Sequence, residues 1–170
     1  MTRTSSDLEW IVCHFDAMTP HQVHSLLQLR QQIFIIEQDC IFPEIDGLDP
    51  LCTHLLAVDK AANGRDVLAA ARIVAPGVDP GHAEQGDRPA IGRVVTSEKL
   101  RGQGIGRTLM TRAIDVCAQE FGGKPIYLNA QLYLKAFYQS LGFVQFGDVY
   151  EEDGIPHICM ERPVTDQAPR

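Results

Sequence analysis

Three glycines stand within six positions at "RGQGIG" (residues 101–106), and the strongly helical stretch "RTLMTRAIDVCAQEF" follows at once. A glycine inside a helix costs roughly 1 kcal/mol relative to alanine, so glycines at a helix entrance need a reason. The strand-like "IGRVVTS" (residues 91–97) precedes them. A strand, a glycine-rich turn and a helix N-terminus present unpaired N–H groups and the positive end of the helix dipole. This pattern predicts an anion-binding turn.

Two nucleotide-binding motifs are excluded by the spacing of this turn. A P-loop requires Lys and then Ser or Thr after its last glycine, whereas Gly106 is followed by Arg107 and Thr108. The dinucleotide fingerprint G-x-G-x-x-G, started at Gly102, would need a glycine at position 107. What remains is Arg-x-x-Gly-x-Gly, bracketed by Arg101 and Arg107. A tight structural turn is the alternative, and the two arginines favour the anion.

The period of the apolar residues switches repeatedly between that of a strand and that of a helix. Thr19, Pro20 and Gln22 supply the start signals of the first helix. Strands are predicted at residues 10–15, 54–59, 67–75, 91–97, 125–130, 143–150 and 157–162, and helices at 20–37, 105–121 and 132–141. Residues 76–90 form a loop rich in Pro and Gly. No repeat or linker divides the chain, which predicts one α/β domain with a mixed sheet over residues 1–170, structured from about 8 to 163 with flexible ends.

Composition narrows the class of partner and the compartment. A chain of 170 residues with 45% hydrophobic residues can bury one real core, and its formal net charge of −7 argues against nucleic acid. The N-terminus lacks the apolar core of a signal peptide, and the longest apolar run is broken by Arg72, so no membrane segment is expected. Five scattered cysteines without a C-x-x-C spacing predict reduced thiols in the cytoplasm and no metal site.

The strand, the turn and the following helix resemble the GCN5-related N-acetyltransferase (GNAT) superfamily, whose members carry Gln/Arg-x-x-Gly-x-Gly/Ala in this context. A second stretch, "KAFYQSLGF" (residues 135–143), is similar to the final helix of that family with its "FY…GF" ending. Together the two stretches cover residues 91–143, and the order of the predicted elements agrees. At finer grain, "LRQQIFIIEQDCIFPEIDGLD" and "YEEDGIPHICMER" resemble the bacterial ElaA-type branch of the family.

The resemblance implies a mixed, mostly antiparallel sheet flanked by helices, whose central strands part to form a cofactor cleft. It implies an acetyl-CoA-dependent N-acetyltransferase, with acetyl-CoA as cosubstrate and no metal. The pyrophosphate would bind the amides of the turn, and the pantetheine arm would pair with the edge of strand 91–97. The cofactor-binding residues so implied are Val94, Val95, Thr96, Arg101, Gly102, Gln103, Gly104, Ile105, Gly106, Arg107 and Asn129.

Tyr138 aligns with the tyrosine that often acts as general acid in this family. A phenol stays protonated at neutral pH and can give its proton to a departing thiolate. The alternative is an aromatic side chain packed on the sheet, with its hydroxyl bonded to the backbone. One departure from the family is Tyr133, which occupies the place of an Asn that is usual in relatives. Asn129, on the preceding strand, is the candidate to take over its cofactor contact.

No residue identifies itself as the base, and four residues are candidates for the acceptor site: Glu37, Arg93, His54 and His157. Arg93 lies in an apolar strand and must face a cleft or find a partner such as Glu37. His54 ends an acidic segment where relatives often receive the acceptor, although a solvated loop explains the carboxylates of that segment equally well (Glu44, Asp46 and Asp49). His157 is also a candidate base, and a structural histidine beside Pro156 is the alternative. Cys40 is a candidate nucleophile, but no base is tied to it in the sequence, which favours a structural thiol.

Three functions from different classes follow. The first is acetyl transfer to a primary amine of a small molecule or peptide, by direct attack in a ternary complex. The second is an acyltransferase like the acyl-homoserine-lactone synthases, because "EIDGLD" is similar to their acidic N-terminal pattern. The third is a non-catalytic CoA-binding domain. The acceptor, the base and the oligomeric state, including a homodimer, stay open.

Overall fold

The computed structural model describes residues 4–79 and 83–164, which form a seven-stranded sheet with helices on both faces. The strands are β1 (Leu8–His14), β2 (Thr53–Asp59), β3 (Val67–Val74), β4 (Ala90–Thr96), β5 (Ile126–Gln131), β6 (Val144–Glu152) and β7 (Ile155–Arg162). The helices are α1 (Pro20–Arg30), α2 (Ile105–Phe121) and α3 (Lys135–Gln139). The strand order is β1-β2-β3-β4-β5-β7-β6, and every pair except β4 with β5 is antiparallel. The predicted mixed, mostly antiparallel fold is confirmed.

Strands β2 and β3 are buried along their whole length, because helices cover both faces of this part of the sheet. Leu55 and Ala57 pack with α2 residues such as Leu109 in one apolar cluster. Leu56 packs with Leu26 of α1 in another cluster on the opposite face. Burial on both faces explains the nearly continuous apolar sequence of the two strands, which would be expected to alternate if one face met water.

Strands β4 and β5 share one ladder pair, Ala90 with Tyr127, and diverge beyond it. The main-chain N–H of Tyr127 donates to the carbonyl of Pro89 at 2.9 Å, which closes the join. On its other side, β4 is bulged against β3 near Arg93, whose φ of +48° lies in the left-handed region. The two parallel strands therefore open toward their C-terminal ends, as predicted, and the edge of β4 beyond Ala90 faces a cleft.

Three elements differ in detail from their predictions. The first helix begins at the predicted capping box of Thr19 and Gln22, but its last residues, Gln31–Glu37, wind as a π-helix. Helix α3 is shorter than predicted because Leu132–Leu134 forms a 3₁₀ turn before it. In the last hairpin, the first two residues of "EEDG" belong to β6. The turn falls at Asp153 and Gly154, which are the residues with positive φ. The predicted flexible ends lie largely outside the described residues.

Candidate active site

A cavity of about 830 Å³ occupies the cleft between β4 and β5. The β4 wall contributes Ile91 to Thr96, and the β5 wall contributes Tyr127 to Gln131. The π-helical segment and the acidic segment after it close one side, and the tip of the β6–β7 hairpin closes the other. The cavity brings together predicted site residues from distant parts of the sequence: Glu37, Arg93, Val94, Val95, Thr96, Arg101, Asn129, Tyr138 and His157.

The glycine-rich turn presents five consecutive main-chain amides, those of residues 102–106. Within the described residues, none of these five N–H groups donates a hydrogen bond to a protein acceptor, whereas the next two, of Arg107 and Thr108, bond to the carbonyl of Gly104 at 3.1 Å. Gly104 serves as N-cap of α2 in the left-handed conformation, with φ of +73°, and offers no capping side chain. Unpaired amides at a helix N-terminus are anion-binding groups.

The glycines of this turn are present for different reasons, and protein packing does not explain Gly106. Gly102 and Gly104 have positive φ, which a side chain would strain. Gly106 has no such restriction, and a Cβ added there would meet no protein atom within 4 Å. Glycine is a poor helix former, and neither packing nor backbone conformation requires it at position 106 of α2. The close approach of a ligand would explain its presence there. The turn therefore fits a pyrophosphate.

The two arginines that flank the turn already have protein partners. Arg101 uses Nη2 to donate to both carboxylate oxygens of Glu37, at 2.6 and 2.7 Å, across the mouth of the cleft. Arg107 donates from Nη2 to the hydroxyl of Ser140 at 2.7 Å and lies over the ring of Phe137. Both residues are exposed, and they flank the five amides in sequence.

Tyr138 lines the cavity from α3, packed edge-on against Phe143 with 6.0 Å between ring centroids. Burial, with a smaller effect of the Tyr133 hydroxyl, raises the pKa of Tyr138 to about 12. Among the described residues, no protein group forms a hydrogen bond with the Tyr138 hydroxyl. The alternative of a hydroxyl bonded to the backbone is therefore wrong. The group is a neutral donor at physiological pH.

The acidic segment is a buried ion-pair network rather than a solvated loop. Arg30 donates to Glu44 at 2.6 Å and to Asp49 at 2.8 Å, and all three side chains are buried. Arg72 binds the same Asp49 at 3.0 Å and Asp46 at 2.6 Å. Burial alone would raise the pKa of Asp49, but the guanidinium groups of Arg30 and Arg72 lower it below its usual range.

Arg93 closes this network into a ring of three arginines and three carboxylates, which we call the ion-pair ring. Its guanidinium group lies 3.1 Å from Glu44 and 3.1 Å from Asp46. The predicted partner of Arg93, Glu37, was the wrong carboxylate, because Glu37 binds Arg101 instead. The ring fixes the acidic segment onto β3 and β4 and forms part of the cavity wall through Arg72 and Arg93.

His54 does not reach the cavity. It is 1% exposed, it lies on β2, and its Nε2 is 2.9 Å from the main-chain carbonyl of Asp49. Burial lowers the pKa of His54, so the ring is a neutral structural group that supports the acidic segment. The prediction that it binds substrate is therefore wrong, because its strand is covered on both faces.

Asn129 and His157 lie together on the β5 and β7 side of the cavity. Asn129 Nδ2 donates to Glu152 Oε2 at 2.7 Å, and its Oδ1 accepts from the Tyr150 hydroxyl. His157 Nε2 is 3.8 Å from the same Glu152 oxygen. Both polar atoms of Asn129 are thus held by β6, so its predicted role as a replacement cofactor ligand is not supported. We name Asn129, Tyr150, Glu152 and His157 the acceptor-side cluster.

Sequence reasoning missed the roles of Arg30, Arg72, Tyr150 and Glu152. A signal existed for two of them: Arg30 falls on the apolar side of the first helix and Arg72 interrupts the most apolar strand, and a buried charge needs a partner. Tyr150 and Glu152 carry no such signal, because strand β6 is exposed along most of its length.

Comparison with known proteins agrees with this geometry. A sequence profile described as an acetyltransferase (GNAT) domain matches residues 54–163. The chain belongs to the GNAT acetyltransferase family. It is 40% identical to protein ElaA of Escherichia coli over 159 residues, which are 92% of this chain and 97% of ElaA. As a GNAT protein of the ElaA type, it is an acyl-CoA N-acyltransferase.

Solved structures of GNAT proteins superpose closely on this chain. The crystal structure of Escherichia coli ElaA matches with a TM-score of 0.79 and 39% identity, covering 91% of this chain and 99% of ElaA. An acyl-CoA N-acyltransferase from Pseudomonas aeruginosa matches with a TM-score of 0.79 and 40% identity over the same shares. A CoA-dependent acyl-homoserine lactone synthase shares the fold at a TM-score of 0.74, with 17% identity over 94% of this chain and 84% of the synthase.

The described residues contain neither a membrane-spanning helix nor a cluster of metal-binding side chains. No helix among residues 4–79 and 83–164 has both the length and the apolar character needed to cross a bilayer. In the same part of the chain, no three His, Cys, Asp or Glu side chains are arranged to hold a metal ion.

Proposed function

We propose that this GNAT protein transfers an acetyl group from acetyl-CoA to a primary amine of a small molecule or peptide, by direct attack within a ternary complex. One observation carries the proposal: a single cavity extends from the arginine of the glycine-rich turn to the unbonded hydroxyl of Tyr138 and to a polar acceptor-side cluster. A cofactor and an acceptor could therefore be held in the cavity together.

The cofactor half of this proposal rests on main-chain groups. The five unpaired amides of residues 102–106 would hold the pyrophosphate, with Arg101 and Arg107 adding positive charge at its sides. Beyond Ala90, the β4 edge that faces the cleft pairs with no strand among residues 4–79 and 83–164. The amide groups of a pantetheine arm would pair with the main chain of Val94 to Thr96, as an added strand does.

Direct attack is favoured because the cavity lacks an activated nucleophile of its own. Cys40 is the thiol that lines it, and it is buried. Burial first, and then the carboxylates of Asp153 and Asp39, raise the pKa of the Cys40 thiol. Because the thiolate is the nucleophilic form, a covalent acyl-enzyme on Cys40 is disfavoured. The amine would attack the thioester carbon directly, and Tyr138 would protonate the departing thiolate.

The experiment is a thiol-release assay with acetyl-CoA and a panel of primary amines, namely ethylamine, cadaverine, glucosamine and a lysine-containing peptide. Acetyl transfer predicts amine-dependent release of CoA and a product heavier by one acetyl group. A non-catalytic CoA-binding domain predicts tight acetyl-CoA binding without release. A lactone synthase predicts product only when a methionine-derived amine donor is present, and such a result would replace our proposal.

A further inference from the structure

The acceptor-side cluster holds His157 in one defined orientation. Its Nδ1 lies 2.8 Å from the main-chain carbonyl of Ile155, two residues before it in the same hairpin. A carbonyl oxygen can only accept, so Nδ1 carries the proton in the neutral ring, and Nε2 carries the lone pair. The side chain is 13% exposed and lines the cavity. The backbone thus presents a basic nitrogen to the cleft.

Glu152 is positioned beside that nitrogen by a chain of hydrogen bonds. The Tyr150 hydroxyl donates to Asn129 Oδ1, which orients the amide so that Nδ2 donates to Glu152 Oε2 at 2.7 Å. The same carboxylate oxygen is 3.8 Å from His157 Nε2. This distance is too long for a direct hydrogen bond. A carboxylate and an imidazole nitrogen at this separation can both contact one ammonium group.

We propose that His157 is the catalytic base, that Glu152 binds the acceptor as its ammonium ion, and that Asn129 and Tyr150 position Glu152. The acceptor class is therefore a protonated primary amine, and the inference rests on the proposed function. Among the described residues, the titratable groups recorded beside His157 are Glu152 and Tyr150 of strand β6. Strand β5 presents the uncharged Asn129 and Gln131 to this side.

The step balances as follows. The ammonium gives one proton to His157 Nε2, and the neutral amine nitrogen then forms a bond to the thioester carbon as the C–S bond breaks. The sulfur takes its proton from Tyr138, which regains one from the nitrogen. His157 releases its proton to solvent. An ammonium ion and acetyl-CoA thereby give the amide, the CoA thiol and one proton. Histidine is the side chain that most often serves as a general base in enzymes.

The test compares two acceptors of nearly equal size. Ethylamine is protonated at neutral pH and needs a base, whereas 2,2,2-trifluoroethylamine is mostly neutral there and does not. His157→Gln should lower kcat/KM for ethylamine by about 10²–10⁴-fold and change that for trifluoroethylamine by less than about tenfold. With ethylamine, the rate of the variant should keep rising with pH and should lose the plateau that the parent reaches, since hydroxide replaces the base.

Two further variants separate chemistry from structure. Glu152→Gln should raise KM for ethylamine more than it lowers kcat, and should leave trifluoroethylamine nearly unaffected. The matched control is His21→Gln, an exposed histidine on α1, which should behave as the parent with both amines. Should His157→Gln fail to fold, NMR of the parent protein takes its place: ethylamine added in the presence of CoA should shift the His157 ring signals.

The outcomes distinguish the two proposals. Parental transfer to ethylamine by His157→Gln, or an equal loss with both amines, overturns the inference and leaves the proposed function standing. Ring signals of His157 that do not respond to ethylamine also overturn it. A parent protein that binds acetyl-CoA but acetylates no amine of the panel overturns the proposed function, and the inference with it.

Discussion

The two walls of the cleft recognise their ligands by different means. The β4 wall and its glycine-rich turn offer main-chain groups: within the part of the chain that the structure describes, five amides have no acceptor and one strand edge has no partner. The β5 wall offers side chains, with Tyr138, Asn129 and His157 arriving from α3, β5 and β7. A main-chain site needs only the correct backbone path and small residues. A side-chain site needs each residue type at its own position.

This difference between the walls indicates where side chains can change without loss of ligand recognition. Under our proposal, the main-chain groups would bind the part of acetyl-CoA that is the same in every reaction, and such a site would tolerate changes of side chain outside the glycines. Under the same proposal, the side chains would determine which amine is accepted and how it loses its proton. The ion-pair ring belongs to the β4 side of the molecule, because Arg93 of β4 binds Glu44 and Asp46 of the acidic segment.

The largest effect should come from the side-chain wall, at Tyr138. Removing the hydroxyl in Tyr138→Phe should lower kcat by about 10²–10⁴-fold with little change in acetyl-CoA binding, because the thiolate loses its proton donor. The measurement is steady-state transfer to an amine, together with calorimetry of acetyl-CoA binding. The hydroxyl makes no hydrogen bond to the described protein, so stability should change by less than about 1.5 kcal/mol. A parental rate with chemistry shown to limit turnover would contradict the assignment.

The next effect concerns the ion-pair ring, which fixes the acidic segment onto β3 and β4. Arg30→Ala should lower the free energy of unfolding by about 3–5 kcal/mol, since Glu44 and Asp49 would be left buried without their shared cation. Denaturant unfolding followed by circular dichroism measures it. Lys124→Ala is the matched control, because its pair with Asp87 is exposed and should contribute at most about 1 kcal/mol. Equal losses in both variants would mean that burial of the ring adds nothing.

The stability of the ring should also depend on pH in a definite direction. Burial by itself would raise the pKa of Asp46, but hydrogen bonds from Arg72 and the Leu48 amide, and the charges of Arg72 and Arg93, lower it to about 2. A carboxyl with a depressed pKa stabilises the fold above its unfolded value near 3.8 and loses that contribution as pH falls toward 2. The pH-dependent part of the stability difference between parent and Asp46→Asn, about 2 kcal/mol, should therefore vanish between pH 4 and pH 2. A constant difference over that window would contradict the assignment.

The smallest effect tests the main-chain wall. Gly106→Ala should increase the free energy of unfolding by up to about 1 kcal/mol, because alanine is the better helix former and its Cβ meets no protein atom. It should weaken acetyl-CoA binding by about tenfold or more, because the same Cβ occupies the space above the amides. In this one variant, the acetyl-CoA affinity measured by calorimetry should fall while the stability measured by thermal unfolding rises. Unchanged affinity would place the phosphate elsewhere.

Sequence reasoning succeeded where local pattern decides structure. The glycine-rich turn, α2 and the capping box at Thr19 are encoded by contiguous residues, so their outlines were predictable. The parted central strands followed from family resemblance rather than from periodicity. The π-helical winding at Gln31–Glu37 had no local signal, because apolar residues such as Ile33 and Phe34 suit an α-helix equally well.

The acceptor side could not be predicted in the same way, because its contacts join residues far apart in sequence. His157 was identified as a candidate, but its tautomer depends on the carbonyl of Ile155, and its companion Glu152 lies across a hairpin whose turn was placed too early. The burial of the acidic segment was not predicted, for a similar reason. Its burial depends on Arg30 and Arg72, which come from two other elements.

The single ladder pair between β4 and β5 divides the protein into two pieces in a mechanical sense. Residues 4–121 carry four strands with α1 and α2, and residues 124–164 carry three strands with α3, and the connection passes through the exposed Gly122 and Gly123. The pieces share one apolar cluster, which would draw them together if the chain were cut at those glycines. A ligand that contacts both walls would then stabilise the association of the two fragments. Reassembly of a protein cut at this position could therefore report the presence of acetyl-CoA.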